Sequence, residues 1–317
     1  MGWQNSAVNG ILLMDKPADF TSFDVCAVVR GMLRTKKVGH SGTLDPMATG
    51  VLPILVGSAT RALDLIPSHD KTYAAGFRLG VRTDTLDITG KILAETEPSV
   101  SREALLSALE AFIGDIMQVP PMYSAVSVGG KKLYDLAREG REVVREARSV
   151  TVYSLTLDSY DEMTASGNLT VSCSKGTYIR TLIDDMGQAL GCGAVLTFLR
   201  RTEASGFRID DCMTLAQAQA YKDEGTLTER LLPVESLFTD YPALYIAPTQ
   251  AVRFNNGAGL ALDRLLPPVV GGVKQAEGLV SDVYAPDSLY RVYARPDNTF
   301  LGLGVKKEDE LRVCKRF

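Results

Sequence analysis

One carboxylate of this 317-residue chain stands in a segment built to display it. Asp45 lies in Gly39-His40-Ser41-Gly42-Thr43-Leu44-Asp45-Pro46-Met47-Ala48-Thr49-Gly50, where three glycines, a proline and small residues lead into an apolar run at 51–56. Glycine and an Asp-Pro pair hold the backbone in turns that other residues resist, so the loop fixes its one acid beside a buried strand. A carboxylate held that way suits nucleophilic attack, although Asp before Pro is also a common way to start an ordinary turn. His40, one of two histidines, shares the loop, and the basic run Arg34-Thr35-Lys36-Lys37 precedes it.

A second candidate is Arg180, at the mouth of a helix. Ile179, Leu182, Ile183, Met186 and Leu190 recur at three and four residues and define one buried stripe ending at Gly191, with Tyr178 and Arg180 off that stripe. Asp184, four residues on, offers Arg180 an ordinary surface pair worth only about 0.3–0.5 kcal/mol. The other partner for Arg180 is Asp45: an ionised carboxylate withdrawn from water needs a fixed cation, and a guanidinium can supply two parallel hydrogen bonds to it.

These residues belong to a longer series. Asp15-Lys16-Pro17 with Thr21-Ser22, the Asp45 loop, Lys71-Thr72-Tyr73, then Gln118-Val119-Pro120-Pro121-Met122-Tyr123-Ser124-Ala125 with Lys131, Tyr134, Ala137 and Arg138 follow one another in order. Cys173-Ser174-Lys175-Gly176-Thr177-Tyr178-Ile179-Arg180 and Leu199-Arg200-Arg201 complete it. The series resembles the TruB-type tRNA pseudouridine synthases, which isomerise one uridine in the T arm of transfer RNA. Blocks matching in order over about two hundred residues are far more specific than one short motif.

The resemblance implies Asp45 as nucleophile, Arg180 as its partner, and Tyr73 against the target base, stacking on it or assisting proton removal from C5. It implies that Tyr178 and Leu199 line the uracil pocket and that His40 fills the stack vacated by the flipped base. The reaction breaks the bond from uracil N1 to ribose C1′ and rejoins the base through C5, with attack by the carboxylate at C1′ or at C6. No redox partner or energy donor is required, and the sequence has no Walker loop or dinucleotide fingerprint, so no cofactor is expected. The expected substrate is position 55 in the T stem-loop of tRNA, and the protein is expected to act as a monomer without a protein partner. Departures from the family pattern fall at Asp19, Arg61, Ser127 and Val195 and touch none of the candidate residues. A non-catalytic tRNA-binding or folding protein would need the basic clusters without the Asp45 and Arg180 pair. A glycosidase would need a second positioned carboxylate, which no comparable motif supplies.

Composition fits such an enzyme. Length and 45% hydrophobic residues predict two domains, and no apolar run approaches a membrane span or a signal peptide, so the expected location is cytoplasmic. Five scattered cysteines without a Cys-x-x-Cys pair, and two histidines, predict neither disulfide nor metal. The net charge of −4 is unusual for an RNA-binding chain, but its cations cluster at Arg30, Arg34, Lys36 and Lys37, at Lys131, Lys132, Arg138, Arg141, Arg145 and Arg148, and at Lys306, Lys307, Arg312, Lys315 and Arg316.

The elements that must position these groups alternate irregularly, which predicts an α+β fold on a mainly antiparallel mixed sheet rather than a doubly wound one. The expected strands are 51–56, 73–79, 123–128 and 169–173, with a turn at Gly129-Gly130. One expected helix is capped by Thr21 or Ser22 and runs to about Arg34, with Phe23, Ala27, Val28 and Met32 at helical spacing; another starts at Ser101 and ends near Gly114. The expected catalytic domain covers 1–240. Beyond it Pro242, Pro248, Pro267 and Pro268 break the chain, strands at 290–293 and 300–305 flank a turn, and 241–317 is similar to the family's small PUA-like β domain.

Overall fold

A strand apolar at nearly every position is one covered on both faces. In the computed structural model Thr49–Val56 is buried along all but its first residue and sits within a nine-stranded sheet. The structure describes residues 8–266, 269–270, 273–274 and 287–317; Pro267 and Pro268 lie outside them. The large sheet is built from β1 (Gly10–Lys16), β2 (Val38–His40), β3 (Thr49–Val56), β4 (Lys71–Leu79) and, past the hairpin β5 (Val81–Thr83) and β6 (Ile92–Glu95), β7 (Gly114–Gln118). After the short pair β8 (Ser127–Val128) and β9 (Lys131–Lys132) come β10 (Arg148–Asp161), β11 (Ser166–Cys173), β12 (Ala194–Ala204) and β13 (Phe207–Arg208). The order across it is β1-β3-β12-β4-β11-β10-β7, with β2 on β3 and β13 on β12. Only the β3–β12 pairing is parallel, so the sheet is mixed and mainly antiparallel, as expected.

That parallel junction brings Arg200 and Arg201 of β12 beside Thr49 and Gly50, at the exit of the Asp45 loop. Gly50 is required there. Its φ is +107°, and a Cβ would sit 2.1 Å from the Arg201 carbonyl oxygen.

Helix α1 (Ser22–Leu33) begins at Thr21, whose side chain accepts the Asp24 amide in a reciprocal capping box, and stops at Arg34 in the left-handed region. Its buried face is not the stripe of Phe23, Ala27, Val28 and Met32. Val25, Cys26, Val29 and Leu33 pack onto Leu12, Met14, Leu52 and Ile54, and Phe23 is 70% exposed. The capping box at Thr21 fixes where the helix starts, and both candidate stripes are apolar enough that periodicity alone does not choose between them. Helix α2 (Arg102–Glu110) ends before Gly114, whose positive φ instead opens β7.

The expected strand 123–128 is reduced to Ser127–Val128, paired to β9 across the predicted Gly129-Gly130 turn. The preceding carbonyls are spent elsewhere: Tyr123 O accepts from Arg180 and Ser124 O from the Tyr134 amide. After α3 (Leu133–Arg138) comes α4 (Ile179–Ala189), which buries not one stripe but two faces, Arg180 and Asp184 included. Helix α5 (Leu215–Asp223) follows β13, and α6 (Pro248–Asn255) lies against a second, seven-stranded sheet formed by the C-terminal chain. There Leu289–Ala294 and Thr299–Lys307 form the predicted hairpin.

Candidate active site

The Asp45 loop is held from three sides before any substrate arrives. Ser22 Oγ on α1 accepts the Leu44 amide at 2.8 Å, and the fully buried Lys16 at the end of β1 donates to the Pro46 carbonyl at 3.1 Å. Arg201, completely buried, donates through Nε to Val51 O at 2.7 Å and through Nη2 to Gly42 O at 3.1 Å. Its carbonyl partners satisfy the guanidinium donors and fasten the loop to the start of β3. Burial, with the Arg201 charge adding to it against the pull of nearby acids, pushes the Lys16 ammonium down to about 8.

Held this way, Asp45 faces a cavity of about 340 Å³ that Tyr73, Tyr178, Arg180 and Leu199 also line. Its side chain keeps a third of its surface open to that cavity, while protein encloses the rest. Burial raises its carboxyl above the ordinary range, Arg180 draws it back, and Asp87 pushes it up again.

Arg180 reaches into the site from the first turn of α4, 4% exposed. Its Nε lies 2.9 Å from Asp45 Oδ2, an ion-pair contact without a straight hydrogen bond. The expected pair of parallel hydrogen bonds does not form, because the fork is engaged on the other side. Nη1 donates to Thr85 O and Nη2 to Tyr123 O, each at 2.8 Å, and Nη1 lies 3.5 Å from Asp87 Oδ2. Asp184 is not its partner: that carboxylate accepts from Arg82 at 3.2 Å and from Gln188 at 2.7 Å. One guanidinium thus stands between two carboxylates. Asp87 is itself fixed by the Thr89 amide at 3.0 Å and the Thr85 hydroxyl at 2.8 Å.

Tyr73 on β4 pairs across the sheet with Arg201, and burial pushes its hydroxyl up while the Arg201 charge opposes the shift. Leu199 is buried on neighbouring β12. Tyr178 precedes α4, and the buried Gln118 side chain clamps both its backbone groups, accepting its amide at 3.0 Å and donating to its carbonyl at 3.3 Å. His40 stands apart from these five. It does not line the cavity but directly precedes Ser41 and Gly42, which do, its Nδ1 accepting the Gly42 amide at 3.3 Å.

Four contributors carried no separate signal in the sequence: Asp87, Gln118, His69 and Lys71. Lys71 lines the cavity and donates to His69 O at 2.7 Å, and burial with Arg201 nearby holds its ammonium at about 8. Lys71 and Gln118 lie inside the motif blocks, whereas Asp87 is one of two acids in its turn, with Asp84.

The site gathers residues from blocks scattered along the chain, and comparison with known proteins places the whole set. Residues 30–179 match the model of the TruB family pseudouridylate synthase N-terminal domain, and 180–239 that of the tRNA pseudouridylate synthase B C-terminal domain. The tRNA pseudouridine synthase B of Salmonella typhimurium is 42% identical over 98% of this chain and 94% of its own length. This chain belongs to the TruB family of tRNA pseudouridine synthases. Another TruB relative, from Escherichia coli O1:K1 / APEC, is 40% identical over the same shares. The TruB-type fold is also that of a Cbf5-Nop10-Gar1 complex chain, matched with a TM-score of 0.71 at 24% identity over 97% of this chain and 84% of that one. Among the described residues no helix is long and apolar enough to cross a membrane.

Proposed function

We propose that this TruB-family enzyme converts the uridine at position 55 in the T arm of tRNA to pseudouridine, with Asp45 as nucleophile. The observation carrying this reading is the Asp45 carboxylate, held by a loop braced from three sides, open to the cavity and in contact with one buried guanidinium. In the reaction the N1–C1′ bond breaks, the base turns, C5 bonds to C1′, the C5 proton leaves and N1 gains one. Nothing is oxidised.

Asp45 attacks C1′ or C6 as the anion, and Arg180 maintains that anion where burial disfavours it. Tyr73 lies against the base and assists removal of the C5 proton; Tyr178 and Leu199 shape the pocket around uracil. The base leaves its stack at a cost of a few kcal/mol, and His40, next to the cavity-lining Ser41 and Gly42, enters the gap. We assign catalysis to 1–240 and a PUA-like RNA contact to 241–317, in a monomer acting in the cytoplasm.

The test is carbodiimide mapping by primer extension on an unmodified tRNA transcript treated with wild type or Asp45→Asn. A single stop in the T loop with wild type alone is the expected result. A folded wild type that binds the transcript and leaves no stop overturns the assignment.

A further inference from the structure

Single exposed apolar side chains are ordinary on protein surfaces, so Phe23 is notable for its place rather than its exposure. It follows Ser22, whose hydroxyl accepts the amide of Leu44, the residue before Asp45, so its backbone adjoins the clamp on the nucleophile loop. Its ring is 70% exposed and lies 5.1 Å from the His40 ring, nearly perpendicular at 74°. His40 is itself pinned by the Gly42 amide at Nδ1, which leaves the ring proton on Nε2 in the neutral form. Burial and the Arg201 charge keep that ring neutral. Two uncharged rings therefore stand together beside Ser41 and Gly42, which line the cavity, and the helix that carries Phe23 leads into Arg34, Lys36 and Lys37. Phe23 lies off the stripe of Val25, Cys26, Val29 and Leu33 that α1 buries, so its ring is left to solvent beside His40.

We propose that Phe23 is a base-stacking residue: a nucleobase of the RNA next to the flipped uridine stacks on its exposed ring while His40 occupies the gap. The proposal rests on base flipping at the proposed T-arm uridine. It needs no hydrogen-bond readout, since every base has a face to stack, and the neighbouring cations hold the backbone.

The experiment uses the full chain with Phe23→Ala, Phe23→Leu and Phe23→Tyr, and a tRNA transcript carrying 2-aminopurine beside the target uridine. Affinity, quenching of the probe and pseudouridine formation are read together. Phe23→Ala and Phe23→Leu are expected to weaken binding roughly tenfold and lose the quenching, with Phe23→Tyr restoring both. Thermal stability stays unchanged in all three, because the ring is exposed. Wild-type affinity and quenching in Phe23→Leu would overturn the proposal, since the bulk is then enough without the ring. So would a slower reaction with quenching intact in Phe23→Ala, which makes Phe23 only a support for His40. A wild type that binds and quenches but forms no pseudouridine overturns the T-arm reading instead, and affinity still scores Phe23.

Discussion

As the proposed nucleophile Asp45 must be ionised to attack, and it stands where ionisation is disfavoured. Its folded carboxyl titrates above the ordinary value of 3.8, so between that value and the raised one the folded chain holds more protons than the unfolded chain. Stability contributed by the neutral acid is therefore lost as pH rises through the raised value, and at neutral pH the anion is a cost. Asp45→Asn is expected to abolish pseudouridine formation while its Tm at pH 7 equals or exceeds that of wild type, the difference shrinking as pH falls toward 4. A calorimetric series across that range checks it; a variant markedly less stable than wild type at pH 7 contradicts the argument. Arg180 behaves oppositely. It neutralises Asp45 and Asp87 and also fills the Thr85 and Tyr123 carbonyls, so Arg180→Met leaves the buried Asp87 and the cavity-facing Asp45 without their cation and is expected to cost about 3–5 kcal/mol. Arg180→Lys keeps the charge without the fork, and single-turnover assays should show about a hundredfold slower conversion with tRNA affinity retained.

Among elements, the junction of β3 and β12 sets the geometry. Arg201 is held there by its own strand, and its guanidinium clamps the Gly42 carbonyl, so displacement of the strand displaces the Asp45 loop. Gly50→Ala puts a methyl group into the Arg201 backbone at a positive φ, and about 1–3 kcal/mol of destabilisation is expected, accompanied by loss of turnover in the fraction that stays folded. Urea unfolding alongside an activity assay separates the two effects. This junction was not legible in the chain: Leu199-Arg200-Arg201 reads as a motif, but a parallel pairing between residues about 150 apart leaves no local trace. Apolar runs such as Thr49–Val56 and the Thr21 cap were legible because burial on both faces and capping are local. The face of α1 and the backbone at 123–126 were not, since the first is decided by the sheet it meets and the second by a side chain on α4. The same contrast holds at the site, where Asp45 is marked by its glycines and Asp87, fixed by two threonines, resembles any other turn acid.

For the whole molecule, a chain of net charge −4 that acts on tRNA must concentrate its cations. The three basic clusters are not equivalent. Glu139 lies 3.6 Å from Lys131 and 3.4 Å from Arg141, Glu142 pairs with Arg145, and near the C-terminus Glu310 pairs with Arg312 and Asp287 with Lys307. Among the described residues no carboxylate comes within ion-pair distance of Arg34, Lys36 or Lys37, which follow α1 directly beside the Asp45 loop. A cation already paired within the protein must give up that partner to meet a phosphate, so the unpaired group should contribute more to affinity. The logarithm of the tRNA association constant is expected to fall linearly with that of salt concentration, each phosphate contact adding a slope of about 0.7 to 0.9. Lys36→Gln with Lys37→Gln should flatten that slope by about 1.4 to 1.8, whereas Arg141→Gln with Arg145→Gln should flatten it by about 1 or less. Filter-binding isotherms between low and physiological salt measure both, and equal changes for the two pairs would mean that internal ion pairing does not decide which cations the RNA uses.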